Sequence, residues 1–127
     1  MEKNMDLIEE YLKNISDMEM TMDDYGDLKK VKNRNRLATR NRQIAIIIEK
    51  KHPELKARFI LLTESDDENT RLWAAHHALE VMTYELSDRK KALKVISEIA
   101  KHSPDELQRS GNKAWLKDYL DKHPQDR

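Results

Sequence analysis

The chain contains no cysteine. Disulfide bridges, thiolate nucleophiles and cysteine-ligated zinc are therefore excluded. It carries only two glycines and three prolines, so few of its turns can be the sharp turns that a many-stranded sheet requires. No run approaches the roughly 20 apolar residues needed to span a bilayer. The opening Met-Glu-Lys-Asn-Met-Asp has no basic, apolar leader pattern, and the expectation is a soluble cytoplasmic protein with no membrane partner. Low-complexity tracts and an interdomain linker are also missing.

What remains is a chain of 127 residues, the size of one ordinary domain, with 38% hydrophobic and 38% charged residues. A small core inside a heavily charged surface fits this balance. The apolar segments are rich in Leu, Ile, Ala and Met and show helical rather than alternating spacing, so the expected fold class is all-α. Net charge is zero, but the charges come in blocks: −7 over residues 1–27, +9 over 28–58, −6 over 59–88 and +4 over 89–127. Alternating blocks along stacked helices favour attraction between neighbours and leave local fields for a charged partner.

Leu7, Ile8, Tyr11, Leu12, Ile15 and Met18 predict a first helix over about 4–19. Met18, with Met20 and Met22 after it, reads as adaptable packing. Asp24 is the expected N-cap of a second helix, running from Tyr25 to about Lys51, with a bend or break at the polar stretch Lys32–Arg36. Pro53 opens a third helix over about 53–63. A fourth runs from about 69 to 84. Ser87 or Asp88 caps a fifth over 89–101. Ser103-Pro104-Asp105-Glu106 reads as a Ser cap, a first-turn Pro and a Glu at the third position, opening a sixth helix that runs to about Asp121. Six antiparallel helices then make three hairpins, 4–51, 53–84 and 89–121. The last two form a weak internal repeat with an offset of about 36 residues.

The stretch Ser65-Asp66-Asp67-Glu68-Asn69-Thr70-Arg71-Leu72-Trp73-Ala74-Ala75-His76-His77-Ala78-Leu79 carries a resemblance. Acids at a helix start suit its positive end, and alanines at 74, 75 and 78 let a neighbouring helix approach closely. With Leu61-Leu62, Ala92, Ile96, Ile99 and Ala114-Trp115-Leu116, this resembles small bacterial HEAT-like domains grouped as a family of unknown function. The likeness covers about Pro53 to Leu120, roughly half of the chain. Thr70 stands where HEAT motifs usually carry valine, and Ser65 where they often carry an acid. The resemblance implies three HEAT/ARM-like hairpins in an α–α superhelix. Similar helical chains include immunity proteins that neutralise a cognate secreted toxin.

The candidate chemistry is sparse. His76 and Glu80, four apart, are two metal donors with no third or fourth, so no metal is expected. Glu64, Asp66, Asp67 and Glu68 lack the ligand alternation and glycine of a calcium loop; they read as a helix-start turn or an acidic contact patch. Leu72, Ala75, Leu79 and Met82 form the main apolar line of the fourth helix. Trp73, His77 and Tyr84 fall off it, either as partner anchors or as packing against the next hairpin. Trp115 and Tyr119 read as the end of the core. No nucleophile elbow, phosphate loop or paired catalytic carboxylate is recognisable, so neither enzymatic activity nor a cofactor is expected.

The expected function is a protein-binding inhibitor, an immunity protein against a toxin such as a nuclease. Its contact residues are Glu64, Asp66, Asp67, Glu68, Trp73, His77, Glu80 and Tyr84. The alternatives are a general interaction scaffold, or nucleic-acid binding through the basic run 29–42. That run has seven bases and no acid and would act through Lys32, Arg34, Arg36, Arg40 and Arg42. It has no interleaved aromatic for base stacking. Against that alternative stands pairing of the same bases with the acidic first helix.

Overall fold

The computed structural model describes residues 6–20 and 26–127. Among these residues there are six α-helices, three short 3-10 turns and no strand. The all-α expectation therefore holds. The chain divides into two compact units, Met1–Phe59 and Ile60–Arg127.

In the first unit, α1 (Leu7–Glu19) packs along α2 (Leu28–Lys51). Asp6 caps α1 by accepting from the Ile8 N–H at 2.8 Å. Asp27 caps α2, accepting from Lys29 and Lys30 N–H at 2.9 and 3.3 Å; the expected cap, Asp24, lies outside the described residues. The polar stretch Lys32–Arg36 does not break α2, which runs unbroken for 24 residues. Lys and Arg are good helix formers and no glycine or proline interrupts them. Ile8, Tyr11, Ile15 and Met18 bury one face of α1, and Leu37, Ile44, Ala45 and Ile48 bury one face of α2. Phe59 completes this core with its ring edge-on to Tyr11, 5.0 Å between centroids.

Two asparagines sit among these side chains. Asn14 Nδ2 donates to Asn41 Oδ1 at 2.8 Å, and Asn41 Nδ2 donates to the Tyr11 carbonyl at 3.0 Å. The expected third helix, 53–63, is a composite: a 3-10 turn (Pro53–Leu55), α3 (Lys56–Ile60) and a second 3-10 turn (Leu61–Glu64).

The second unit is α4 (Glu68–Glu80), α5 (Leu86–His102), α6 (Glu106–Lys122) and a final 3-10 turn (Pro124–Asp126). α5 packs against both α4 and α6. Its core is Ile60, Ala75, Ala78, Ala92 and Ile96, with Leu72, Leu79, Tyr84, Val95, Trp115 and Leu116 packed around it. α4 stops at Glu80 rather than near residue 84, and α5 starts at Leu86 rather than 89. In the connection between them, Arg89 Nη1 donates to the Tyr84 carbonyl at 2.7 Å. Ser87 and Asp88 fall inside the first turn of α5, whose cap position is Glu85.

One turn is built twice. Before α4, Ser65 Oγ accepts from Asp67 N–H at 3.1 Å, Asp67 accepts from Thr70 N–H at 3.0 Å, and Arg71 Nη1 donates to the Ser65 carbonyl at 2.8 Å. Before α6, Ser103 Oγ accepts from Asp105 N–H at 3.2 Å, Asp105 accepts from Gln108 N–H at 3.3 Å, and Arg109 Nη1 donates to the Ser103 carbonyl. The spacing Ser-x-Asp-x3-Arg recurs with these three bonds in common. Ser103 thus receives a turn N–H and Asp105 caps the helix, where the sequence alone favours Ser103 as the cap.

The far end of this unit is fastened by charge. Asp126, 4% exposed, accepts from Arg89 Nε at 3.0 Å and Nη2 at 2.9 Å, and from the Tyr119 hydroxyl at 2.8 Å. The Arg89 guanidinium holds the Asp126 carboxyl below its ordinary value of 3.8, against the opposing effect of burial. A depressed carboxyl stabilises the fold above its unfolded value, and that contribution is lost as pH falls below about 3.8. Burial, and after it the bond to Asp126, push the Tyr119 phenol from 10.0 up to about 12. The raised phenol contributes fully below pH 10.0 and loses its contribution as pH rises toward about 12. Tyr119→Phe should therefore cost about 1 kcal/mol at neutral pH. Its melting temperature should also lack the part of the alkaline decline that Tyr119 causes. Thermal melts of both proteins at neutral and alkaline pH check this; equal alkaline declines would refute it.

Candidate interaction surfaces

The acidic turn before α4 has two classes of carboxylate. Glu64, Asp66 and Glu68 are exposed. Asp67 is committed to the fold, since its carboxylate accepts from both the Thr70 N–H and, at 2.7 Å, the Thr70 hydroxyl. Glu68 lies 3.9 Å from Arg71, a contact too open to neutralise it.

Along α4 the aromatic residues separate. Trp73 is half-buried, and its ring lies 5.8 Å from that of His77. His77 is 4% exposed and does not contribute to the surface. Tyr84 packs against the core of its unit. The outward line is instead Asn69, Trp73, His76 and Glu80, spaced four, three and four residues apart, as one helix face requires. This line runs onto α6. His76 Nε2 lies 2.9 Å from Asn112 Oδ1, and the Trp115 indole N–H donates to Glu80 at 2.9 Å. The His76 and Trp115 rings meet edge-on at 4.6 Å. Trp115 stacks on Tyr119 at 5.1 Å, and Tyr119 on His123 at 4.2 Å.

Of the α4 residues named from the sequence, Trp73 and Glu80 lie on this line, His77 is buried, and Tyr84 is half-buried against the core, as Trp115 also is; His76 was not named. The four-three-four spacing through His76 was available in the sequence. Among the described residues no group of three or more His, Asp or Glu side chains is placed to hold a metal ion. Among them, too, no helix is long and apolar enough to cross a membrane.

On the first unit, the five bases named from the run 29–42 have different fates. Arg40 makes a two-pronged ion pair with Glu10, Nε to Oε2 at 2.7 Å and Nη2 to Oε1 at 3.0 Å. This bond holds the Glu10 carboxyl below its ordinary value. Arg40 is thus partly consumed by the acidic first helix. Lys32, Arg36 and Arg42 are exposed, and Arg34 is half-buried. Arg36 Nη2 donates only to a neutral partner, Asn33, at 2.7 Å, which leaves its charge uncompensated by that bond. Asn35, Thr39 and Gln43 share the groove with Lys32 and Arg36 and were not named from the sequence.

No family model, curated protein or solved structure matches this chain.

Proposed function

We propose that this protein is a non-enzymatic inhibitor, an immunity protein that binds a cognate secreted toxin, with nucleases the leading class. The observation that carries the reading is the adjacency of exposed carboxylates in the turn before α4 and at its start (Glu64, Asp66, Glu68) to the half-exposed Trp73 on that helix. A nuclease presents a basic groove to its substrate. Exposed acids steer association with such a groove, and a large aromatic anchors the complex once formed. His76, Glu80 and Trp115 extend the surface onto α6, and their mutual bonding pre-organises it, which lowers the ordering cost of binding. The helices are proposed to stack as HEAT-like hairpins; the turn built twice, before α4 and before α6, supports that arrangement.

The test takes the protein encoded by the neighbouring gene as the toxin candidate and immobilises its C-terminal domain on a biosensor. Glu64→Lys/Asp66→Lys/Glu68→Lys should slow association at least tenfold on the order expected for lost steering, and flatten its salt dependence. Asp67 is spared because its loss would uncap α4. Trp73→Ala should act on dissociation instead, by about 2 kcal/mol, or roughly 30-fold. A folded chain that binds no toxin domain encoded beside it, or that binds equally well as the triple variant, overturns the proposal.

A further inference from the structure

The exposed face of α2 has the composition of a polyanion-binding surface. From Leu28 to Ile48 there is no acidic residue. Lys29, Lys32 and Arg36 are exposed and follow one another at three and four residues, one stripe of the helix. Asn35, Thr39 and Gln43 continue the stripe with neutral hydrogen-bonding groups, also exposed. The stripe spans about 21 Å from Lys29 to Gln43 at 1.5 Å per residue. Among the described residues the one acid bordering the groove, Glu10, is occupied by Arg40. The opposite face of α2 is the one that packs, through Leu37, Ile44 and Ile48.

We infer that this face binds the phosphate backbone of duplex nucleic acid. Duplex DNA carries about one negative charge per 1.7 Å of axis, so three cations on a straight helix meet phosphates without any loop having to order. The choice of duplex over single strand follows from the side chains. The stripe holds no aromatic residue, and single-strand binders rely on stacking. Lys, Arg, Asn, Gln and Thr are the groups that contact phosphates and groove edges. An α-helix fits the major groove of DNA but not the deep, narrow one of RNA, so DNA and RNA duplexes separate groove entry from backbone contact alone.

The experiment is fluorescence anisotropy with the full chain and labelled mixed-sequence duplexes, one DNA and one RNA, over a salt series. Three phosphate contacts predict a slope of about −2.7 in log K against log salt, or roughly 40-fold weaker binding after a fourfold rise in salt. Equal affinity for both duplexes indicates backbone contact alone, and tighter DNA binding indicates groove entry; both support the inference. Lys32→Glu/Arg36→Glu should reduce the slope to about −0.9 and weaken binding at least tenfold. Lys101→Glu/Lys113→Glu makes the same charge change at exposed positions on the other unit and should have a much smaller effect. No binding to either duplex at low salt, or equal loss in the two double variants, overturns the inference. The inference does not rest on the inhibitor reading. Lys32→Glu/Arg36→Glu should still bind the toxin domain, so each reading can fail alone.

Discussion

Replacing Ala75 with leucine is expected to destabilise the protein by about 3 kcal/mol, the upper end of the range for overpacking. Ala75 is fully buried, and it shares the core of the second unit with Ala78 on the same helix and Ala92 on α5. Small residues on both helices let the backbones come close, so a branched side chain has no vacant volume to enter. Ala78→Leu should behave similarly. Ala114→Leu is the control: Ala114 lies exposed on α6 and its change should stay within about 0.5 kcal/mol. Urea unfolding of the three variants reads the differences. Unchanged midpoints for Ala75→Leu and Ala78→Leu would show that α4 and α5 have room between them, contrary to the packing described.

The asparagine pair of the first unit should be nearly as sensitive. Asn41 is fully buried and bonds both Asn14 and the Tyr11 carbonyl. Asn41→Ala takes from the Asn14 amide its acceptor on α2, takes from the Tyr11 carbonyl a second donor, and opens a small cavity, at a cost of about 3 kcal/mol. The informative comparison is Asn14→Leu/Asn41→Leu. Replacing both partners by apolar groups of similar size removes the mismatch between the two amides and fills the cavity, and the Tyr11 carbonyl stays within the backbone of α1, so this variant should cost much less than Asn41→Ala although it carries two core substitutions. If the double leucine variant unfolds as readily as Asn41→Ala, packing rather than hydrogen bonding sets the cost.

These two sites also show what could be read from sequence. The alanines at 74, 75 and 78 announce a close helix contact by their size and spacing, and all three are buried. Asn14 and Asn41 look like ordinary surface residues on polar helices, because their partnership depends on a contact 27 residues distant. The same holds for Arg40, whose pairing with Glu10 reaches across 30 residues. Helix existence was legible from apolar spacing in all the segments. The end of α4 was not, since no glycine or proline marks it. The connection that follows it is held by Arg89, which donates to the Tyr84 carbonyl while itself held by Asp126, 37 residues further on. The choice between His76 and His77 turned on which way α4 faces. Adjacent helical residues point about 100° apart, and only the position of α6 selects between them.

The ion pair at Asp126 bears on how the protein can be handled. A reporter attached at Arg127 lies one residue from a buried carboxylate that receives three hydrogen bonds. A flexible glycine–serine spacer is needed there to keep the label from pulling on the final 3-10 turn. Proteolytic clipping before Asp126 would leave the Arg89 guanidinium and the Tyr119 hydroxyl without their shared acceptor. A preparation cleaved there would be a less stable protein, so intact-mass measurement belongs ahead of any comparison of melting temperatures between batches.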